Sequence, residues 1–346
     1  MSDLFSLVSL AERGRLPDMM VRQGIRKLLV KRLAQQDKGS SKENRQALEQ
    51  FAVTLRESPL CLEAGESARQ HYGLPPAFFR EILGPRMKFS CCLFSPDGPG
   101  LEQAEDVMLA ETCDKAGMQD DLDVLDLGCG WGALSFWIAE KYPRCRVTAV
   151  TNSPSQKEFI EAVCRERGIT SIQVLLSDVR DFQREQPFDR IVALELLEYL
   201  RNYKELLAML ASCLKKDGTV FVQLFSHNRF AYPFGDDGDG SYLGRYFFTG
   251  GIMPSRDLLS FFQDDLVASN QWHISGSHYK KTADAWFSRL ESRKENLLPI
   301  LTAVYGPEDA SLWFQRWRIF FMAATEMWGY NNGDEWGVSH YLLKHR

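Results

Sequence analysis

No apolar run in this chain is long enough to span a bilayer. Its first residues, with Asp3, Glu12 and Arg13 among the leucines, lack the layout of a secretory leader. A cytosolic protein with no integral membrane association is the expectation. No C-x-x-C pair occurs among the eight cysteines (Cys61, Cys91, Cys92, Cys113, Cys129, Cys145, Cys164, Cys213). Neither a zinc site nor a redox couple is therefore suggested, no metal is assigned, and free thiols in a reducing compartment are expected. An excess of positive charge is also missing. The formal net charge is −5 and the pI near 5.8, which argues against a surface built to grip nucleic acid or anionic lipid. What is present is a globular composition, 45% hydrophobic and 25% charged, on 346 residues, enough for one large domain or two.

The chain is organised around Val124-Leu125-Asp126-Leu127-Gly128-Cys129-Gly130-Trp131-Gly132-Ala133-Leu134-Ser135, an apolar strand that runs into a glycine-rich turn and a helix from Ala133 to Tyr142. The alternate glycines let the backbone turn sharply and approach a ligand, and the helix points its free N–H groups at the turn. A dinucleotide site has G-x-G-x-x-G with pyrophosphate on the helix N-terminus. Here the spacing is G-x-G-x-G behind Asp126. An ordinary tight turn in a nucleotide-type fold is the plain alternative.

Helical spacing of Leu4, Leu7, Leu10 and Leu16, then Val21, Ile25, Leu28, Leu29 and Leu33, predicts helices in the first fifty residues, and another from Lys42 to Glu57 follows the polar run 35–44. After the glycine loop, strand and helix alternate. Strands are expected at Arg146–Val150, Ile172–Leu176, Phe188–Leu194 and Thr219–Leu224, the last behind a turn at Asp217-Gly218, with a helix from Leu206 to Leu214. The first of these strands ends in Thr151-Asn152-Ser153, with Gln156 a turn further on. The next ends in Ser177-Asp178-Val179, where Asp178 reads equally as a helix N-cap. The strand from Phe188 delivers Glu195 and Glu198, two acids at the carboxyl edge of a parallel sheet, where ligands bind. The acidic run 235–240 resembles a calcium loop only superficially, since it lacks the regular acid spacing and closing glutamate. The last eighty residues are helical and aromatic, ending in a strand-like Val338–Leu343.

Three motifs together carry a resemblance: His71-Tyr72-Gly73-Leu74 with Phe78-Phe79, then Lys88-Phe89-Ser90-Cys91-Cys92-Leu93-Phe94, then Asp126–Gly132. They resemble the cyclopropane fatty acid synthase superfamily of S-adenosylmethionine-dependent methyltransferases, which includes the mycolic acid cyclopropane synthases and the plant benzylisoquinoline amine N-methyltransferases. The likeness runs from about Glu66 onward, takes in Arg245–Ser255 and Gly276–Tyr279 with Thr282 and Trp286, and in the tail is closer to the coclaurine-type N-methyltransferases. It implies a class I, Rossmann-like α/β fold with a mostly parallel sheet, a helical N-terminal part and late helical insertions. The expected division is 1–60 as helical extension, 61–120 as a lid over the cofactor, 121–225 as the cofactor-binding core, and 226–346 as substrate-pocket insertion, helical cap and final strands.

The resemblance also implies a cofactor set: Phe89 and Ser90 near the methionyl end, Asp126 on its ammonium, Gly128, Gly130 and Gly132 in the loop, Thr151, Asn152 and Gln156 toward the ribose hydroxyls, and Asp178 on the adenine amino group, with Val179 and Leu194 beside them. Methyl transfer from a sulfonium is an in-line displacement that needs a lone pair on the acceptor. An aliphatic amine is mostly protonated at neutral pH, with a pKa of about 10, so a carboxylate that binds the ammonium and takes its proton is expected. Glu195 and Glu198 fit that role. The amine enzymes read E-x-x-E-H here, and this chain has Tyr199 in place of the histidine. The lipid enzymes use a bound bicarbonate, whose pocket corresponds by resemblance to Cys91, Glu198 and Tyr279, with Gln223 at the position of a missing histidine. Tyr72, Cys91, Tyr279, Trp328, Tyr330 and Trp336 are the expected substrate contacts. The leading expectation is methyl transfer from S-adenosyl-L-methionine to the nitrogen of a small, aromatic or alkaloid-like amine. Alkylation of unsaturated acyl chains is second, and a non-catalytic cofactor-binding subunit third. No nucleic-acid partner is expected, and a homodimer is compatible with the sequence.

Overall fold

The computed structural model describes every residue except 1, 63–72, 97, 99, 184–185 and 236–241. Tyr72, with its neighbour His71, and most of the acidic run lie outside the described residues. From Asp123 onward the alternation closes into one seven-stranded sheet of order β3-β2-β1-β4-β5-β9-β8. The parallel half comprises β1 (Asp123–Leu127), β2 (Arg146–Thr151), β3 (Ile172–Leu176), β4 (Phe188–Leu194) and β5 (Leu214–His227). β9 (Trp336–His345) runs antiparallel to both β5 and β8 (Leu266–Ser275), while β6 (Tyr232–Pro233) and β7 (Ile252–Met253) pair with each other in a separate two-stranded sheet. The expected α/β class with a mostly parallel sheet is the observed one.

Two of these strands depart from the sequence expectation. The residues 215–218, including the expected turn at Asp217-Gly218, belong to β5, where they bulge opposite Asp189 between the Phe188–Leu214 and Arg190–Thr219 pairs. β8 was not expected at all.

Strand order fixes where a ligand can sit. β1 lies between β2 and β4, with Leu127 level with Val150 on one side and Ala193 on the other. Gly128, Thr151 and Leu194 therefore emerge along one edge, at the reversal of strand order where open α/β sheets bind ligands. Helices α1 (Ser2–Glu12), α2 (Asp18–Gln36), α3 (Ser41–Glu57), α4 (Pro76–Ile82) and α5 (Leu101–Ala116) precede the sheet. α6 (Ala133–Lys141), α7 (Pro154–Arg167) and α8 (Tyr203–Ser212) connect its parallel strands. The short α9 (Tyr242–Tyr246), then α10 (Gly276–Ser292), α11 (Lys294–Tyr305) and α12 (Ala310–Trp328), build an aromatic layer over the carboxyl edge. Its centre is the buried Trp317, whose ring meets Phe78 at 5.0 Å, Phe247 at 5.1 Å and Phe320 at 5.5 Å. Among the described residues no helix is long and apolar enough to cross a membrane.

Candidate active site

Two adjoining cavities open at the carboxyl edge of β1, β2 and β4. The first is lined by Phe89, Ser90, Asp126, Gly128, Gly130, Thr151, Asn152, Gln156, Asp178, Val179 and Leu194, together with Lys88, Glu195 and Tyr199. Gly132 is the one expected cofactor residue absent from this lining. A Cβ there would meet Ile160 and Phe136 at 3.0 Å, so its bareness serves helix packing. Gly130 is the position that needs glycine for the cleft itself: it lines the cavity at φ +53°, and a Cβ would point into open space.

Three polar groups of this cleft have defined surroundings. Asp126 is buried, accepts from Ser135 Oγ at 2.6 Å, and has its pKa pushed up to about 6 by burial against that hydrogen bond. Thr151 Oγ1 donates to Gln156 Oε1 at 2.5 Å, which leaves the buried Gln156 Nε2 with no protein partner at the cleft wall. No helix follows Asp178, so it caps none. Its carboxylate takes the Arg180 backbone N–H at 2.9 Å and the Arg180 guanidinium at 2.8 Å. Burial raises its pKa, and Arg180 outweighs that to hold it low.

Glu195 stands where the two cavities meet. It follows β4 at φ +51°, an uncommon conformation for a side-chain-bearing residue, while its N–H still donates to Gln223 O at 2.7 Å. Three donors converge on its carboxylate: Cys91 N–H at 2.9 Å and Gln223 Nε2 at 2.9 Å on one oxygen, Tyr279 O–H at 2.6 Å on the other. Glu198 is turned elsewhere. It is wholly buried, accepts from Phe225 N at 2.6 Å with one oxygen, leaves the other unpartnered, and lines neither cavity. Burial, then the proximity of Glu195, raises its pKa well above the carboxylate range. The carboxylate grouped with Cys91, Tyr279 and Gln223 is thus Glu195, where the resemblance implies Glu198.

The second cavity is an aromatic box. Its walls include Phe225, Phe248, Trp286, Phe320 and Trp328, and it shares Phe89, Glu195 and Tyr199 with the first. Tyr279 lies flat on Trp328 at 4.5 Å, and Tyr199 on Phe248 at 5.6 Å. Of the expected substrate contacts, Tyr279 and Trp328 are in the wall. Trp336 is not: it is fully buried and donates its indole N–H to Tyr232. Tyr330 packs on Trp336 at 5.5 Å and faces a separate charged surface recess with Arg22 and Arg26. Cys91 is also off the wall. Its thiol, raised well above its ordinary pKa chiefly by burial, points at Cys92 O, and it is the backbone N–H that acts.

Sequence reasoning missed how the segment 88–94 is fixed. Cys91 N–H binds Glu195, Cys92 N–H binds Thr282 Oγ1 at 3.1 Å, and Phe94 N–H binds His278 Nδ1 at 3.1 Å. The buried Lys88 ammonium ties Ser90 Oγ at 2.5 Å to Cys91 O at 2.6 Å. The bonds to Thr282 and His278 tie the segment that carries Phe89 and Ser90 to α10. It also missed Phe225, Phe248 and Phe320 as cavity walls, since apolar residues on strands and helices read as core.

A family model described as mycolic acid cyclopropane synthetase matches residues 62–321. The (S)-coclaurine N-methyltransferase of Thalictrum flavum subsp. glaucum is 37% identical over 345 residues, covering 99% of this chain and 96% of that protein. The cyclopropane-fatty-acyl-phospholipid synthase of Escherichia coli (strain K12) is 29% identical over 223 residues, 64% of this chain and 55% of that one. In three dimensions, coclaurine N-methyltransferase bound to N-methylheliamine and SAH matches with a TM-score of 0.96 at 36% identity, over 99% of each chain.

Proposed function

The chain belongs to the mycolic acid cyclopropane synthetase family and is an S-adenosylmethionine-dependent N-methyltransferase, and from that premise we propose that its acceptor is a small aromatic, alkaloid-like amine bound in the aromatic box with its nitrogen at Glu195. The observation that carries this reading is the position of Glu195, the one carboxylate among the described residues that lines both cavities, set in a second wall that is otherwise apolar and mostly aromatic. Two wall properties suit such an amine. Ring faces attract a cation within about 6 Å, and an apolar enclosure disfavours the charged form, which eases loss of the ammonium proton.

Each residue then has a task. The cofactor, when bound, would supply an electrophilic methyl carbon. Asp126 would hold its ammonium, the Thr151–Gln156 pair its ribose hydroxyls, and Asp178 its adenine amino group beside Arg180. Glu195 binds the substrate ammonium and receives its proton, freeing the lone pair for in-line attack. Cys91 N–H, Gln223 and Tyr279 keep the Glu195 carboxylate aimed. Tyr199, on the shared wall, orients the acceptor between Phe248 and the cleft. Glu198, raised by burial and by Glu195 well above the usual carboxylate range, secures the Phe225 N–H below the site.

The lipid reading meets an obstacle in the same geometry: the Cys91 segment, Tyr279 and Gln223, which the resemblance would assign to bicarbonate, are all engaged by Glu195. The test is a pair of variants. Glu195→Gln is expected to lower kcat for an amine acceptor roughly 100-fold or more with cofactor affinity kept, and Glu198→Gln to lower it far less. Equal losses, or none at Glu195, would overturn the assignment.

A further inference from the structure

We propose that Lys115, His340 and Gln223 form a directed hydrogen-bond relay that holds Glu195 in its working orientation, with His340 as a positioning residue for methyl transfer. This rests on the role assigned to Glu195 above.

The direction of the chain follows from one end. Lys115 Nζ lies 3.2 Å from His340 Nδ1, and an ammonium can only donate. Nδ1 must therefore present its lone pair, which places the imidazole proton on Nε2. Nε2 is 3.1 Å from Gln223 Oε1, so the amide oxygen accepts there and the amide nitrogen is left facing Glu195 Oε1 at 2.9 Å. A flipped amide would set its oxygen against the carboxylate and its NH2 against the imidazole N–H. The lysine thus decides, through two side chains, that Glu195 meets a donor.

Fold geometry makes the relay rigid. Gln223 and His340 are directly paired residues on β5 and β9, and His340 is paired on its other side with Trp272 of β8. Lys115, near the end of α5, is fixed by Glu111 at 2.9 Å and by the Trp272 ring at 5.0 Å. The Phe221 ring meets His340 edge-on at 5.1 Å. Burial, followed by the charges of Lys115 and Lys88 and the neighbouring His273, holds the His340 imidazole neutral, as the relay requires. A buried polar chain is costly unless each member is satisfied, and here each has a partner.

The test uses the whole 346-residue chain with S-adenosylmethionine and an amine that it methylates, measuring kcat, KM and cofactor Kd. His340→Leu removes the donor and is expected to lower kcat roughly tenfold, the scale of one misplaced hydrogen bond to a charged group, with cofactor Kd unchanged. His340→Gln restores an N–H near the Nε2 position and is expected to recover most of that loss. Adding Gln223→Leu to His340→Leu should cost little more, because both act through one bond. Equal losses for His340→Leu and His340→Gln, no loss, or an additive double variant would each overturn the relay. Glu195→Gln separates the two claims: normal turnover there defeats the assignment of Glu195, whereas a dead Glu195→Gln with an unaffected His340→Leu defeats the relay alone. Should the variants fail to fold, nitrogen-15 spectra of labelled histidine in the native enzyme still decide. The neutral Nε2–H form is expected for His340, and an Nδ1–H form or an imidazolium contradicts the relay.

Discussion

Glu195 and Glu198 differ by three positions and by almost everything else. The positive φ at Glu195 turns its side chain back over the sheet edge to three donors, while Glu198 is buried under Phe225 N–H with its second oxygen unpartnered. Spacing could place both acids at the carboxyl edge of β4 but could not say which faced the ligand, because that depends on one backbone dihedral and on residues 28 positions away or more. Cys91 is a similar case: the residue was legible, but not that its N–H acts while its thiol is turned away. That Asp126 lines the cleft was legible, since strand, acid and turn are contiguous, and it makes a pH prediction. Burial pushes its pKa up to about 6, and a cationic cofactor group would favour the ionised form. Cofactor affinity should therefore be full above that value and fall as pH drops through about 6. Calorimetric Kd values from pH 5 to 8 check this, and Asp126→Asn should bind weakly with a flat profile.

Among the elements, local pattern succeeded where a strand is apolar and bounded, as at β1 to β4. It failed at β8, whose middle residues from Ala268 to Gln271 are exposed and show no alternation. It also could not place β9 between β5 and β8, since the β5–β9 pairing alone spans more than a hundred residues. α10 shows how tightly these late pieces close. A Cβ at Gly276 would lie 2.1 Å from Trp336 O and 2.6 Å from Trp328 O. Gly276→Ala is accordingly expected to lower the melting temperature by several degrees, as ~1–3 kcal/mol of overpacking implies for a domain of this size, and to move Tyr279 off Glu195. α2 is held differently. It has no fully buried side chain, and Arg22 and Arg26 reach Glu326 of α12 at 3.0 and 2.5 Å, while Asp18 meets Arg318 at 2.9 Å. Partly exposed pairs contribute about 0–1 kcal/mol each and weaken with salt. Hydrogen exchange in α2 should thus quicken at high ionic strength while β1 stays protected. Equal protection of the two at all salt concentrations would mean that Leu29 and Leu33, packed against the aromatic layer, hold the helix by themselves.

At the scale of the molecule, one aromatic layer serves both as core and as substrate wall. Trp317 belongs to the first role, with Phe78, Phe247, Phe320 and Phe321 around it. Trp317→Ala should cost about 3–5 kcal/mol, read as a lowered denaturant midpoint. Trp328 and Phe248 belong to the second, and truncating either should admit bulkier amines with less loss of stability. Sequence periodicity cannot sort these roles, because a buried ring and a cavity-lining ring present the same apolar spacing. The sorting depends on where the layer leaves a gap, and that gap ends at Glu195. The central claim is that this gap receives an amine. It is tested most directly by giving the enzyme methyl-labelled S-adenosylmethionine with a panel of aromatic amines and, separately, with unsaturated phospholipid vesicles, and locating the label by mass spectrometry. Label on an amine nitrogen, with none in the acyl chains, is the predicted result; label in the acyl chains, with every amine unmodified, would contradict it.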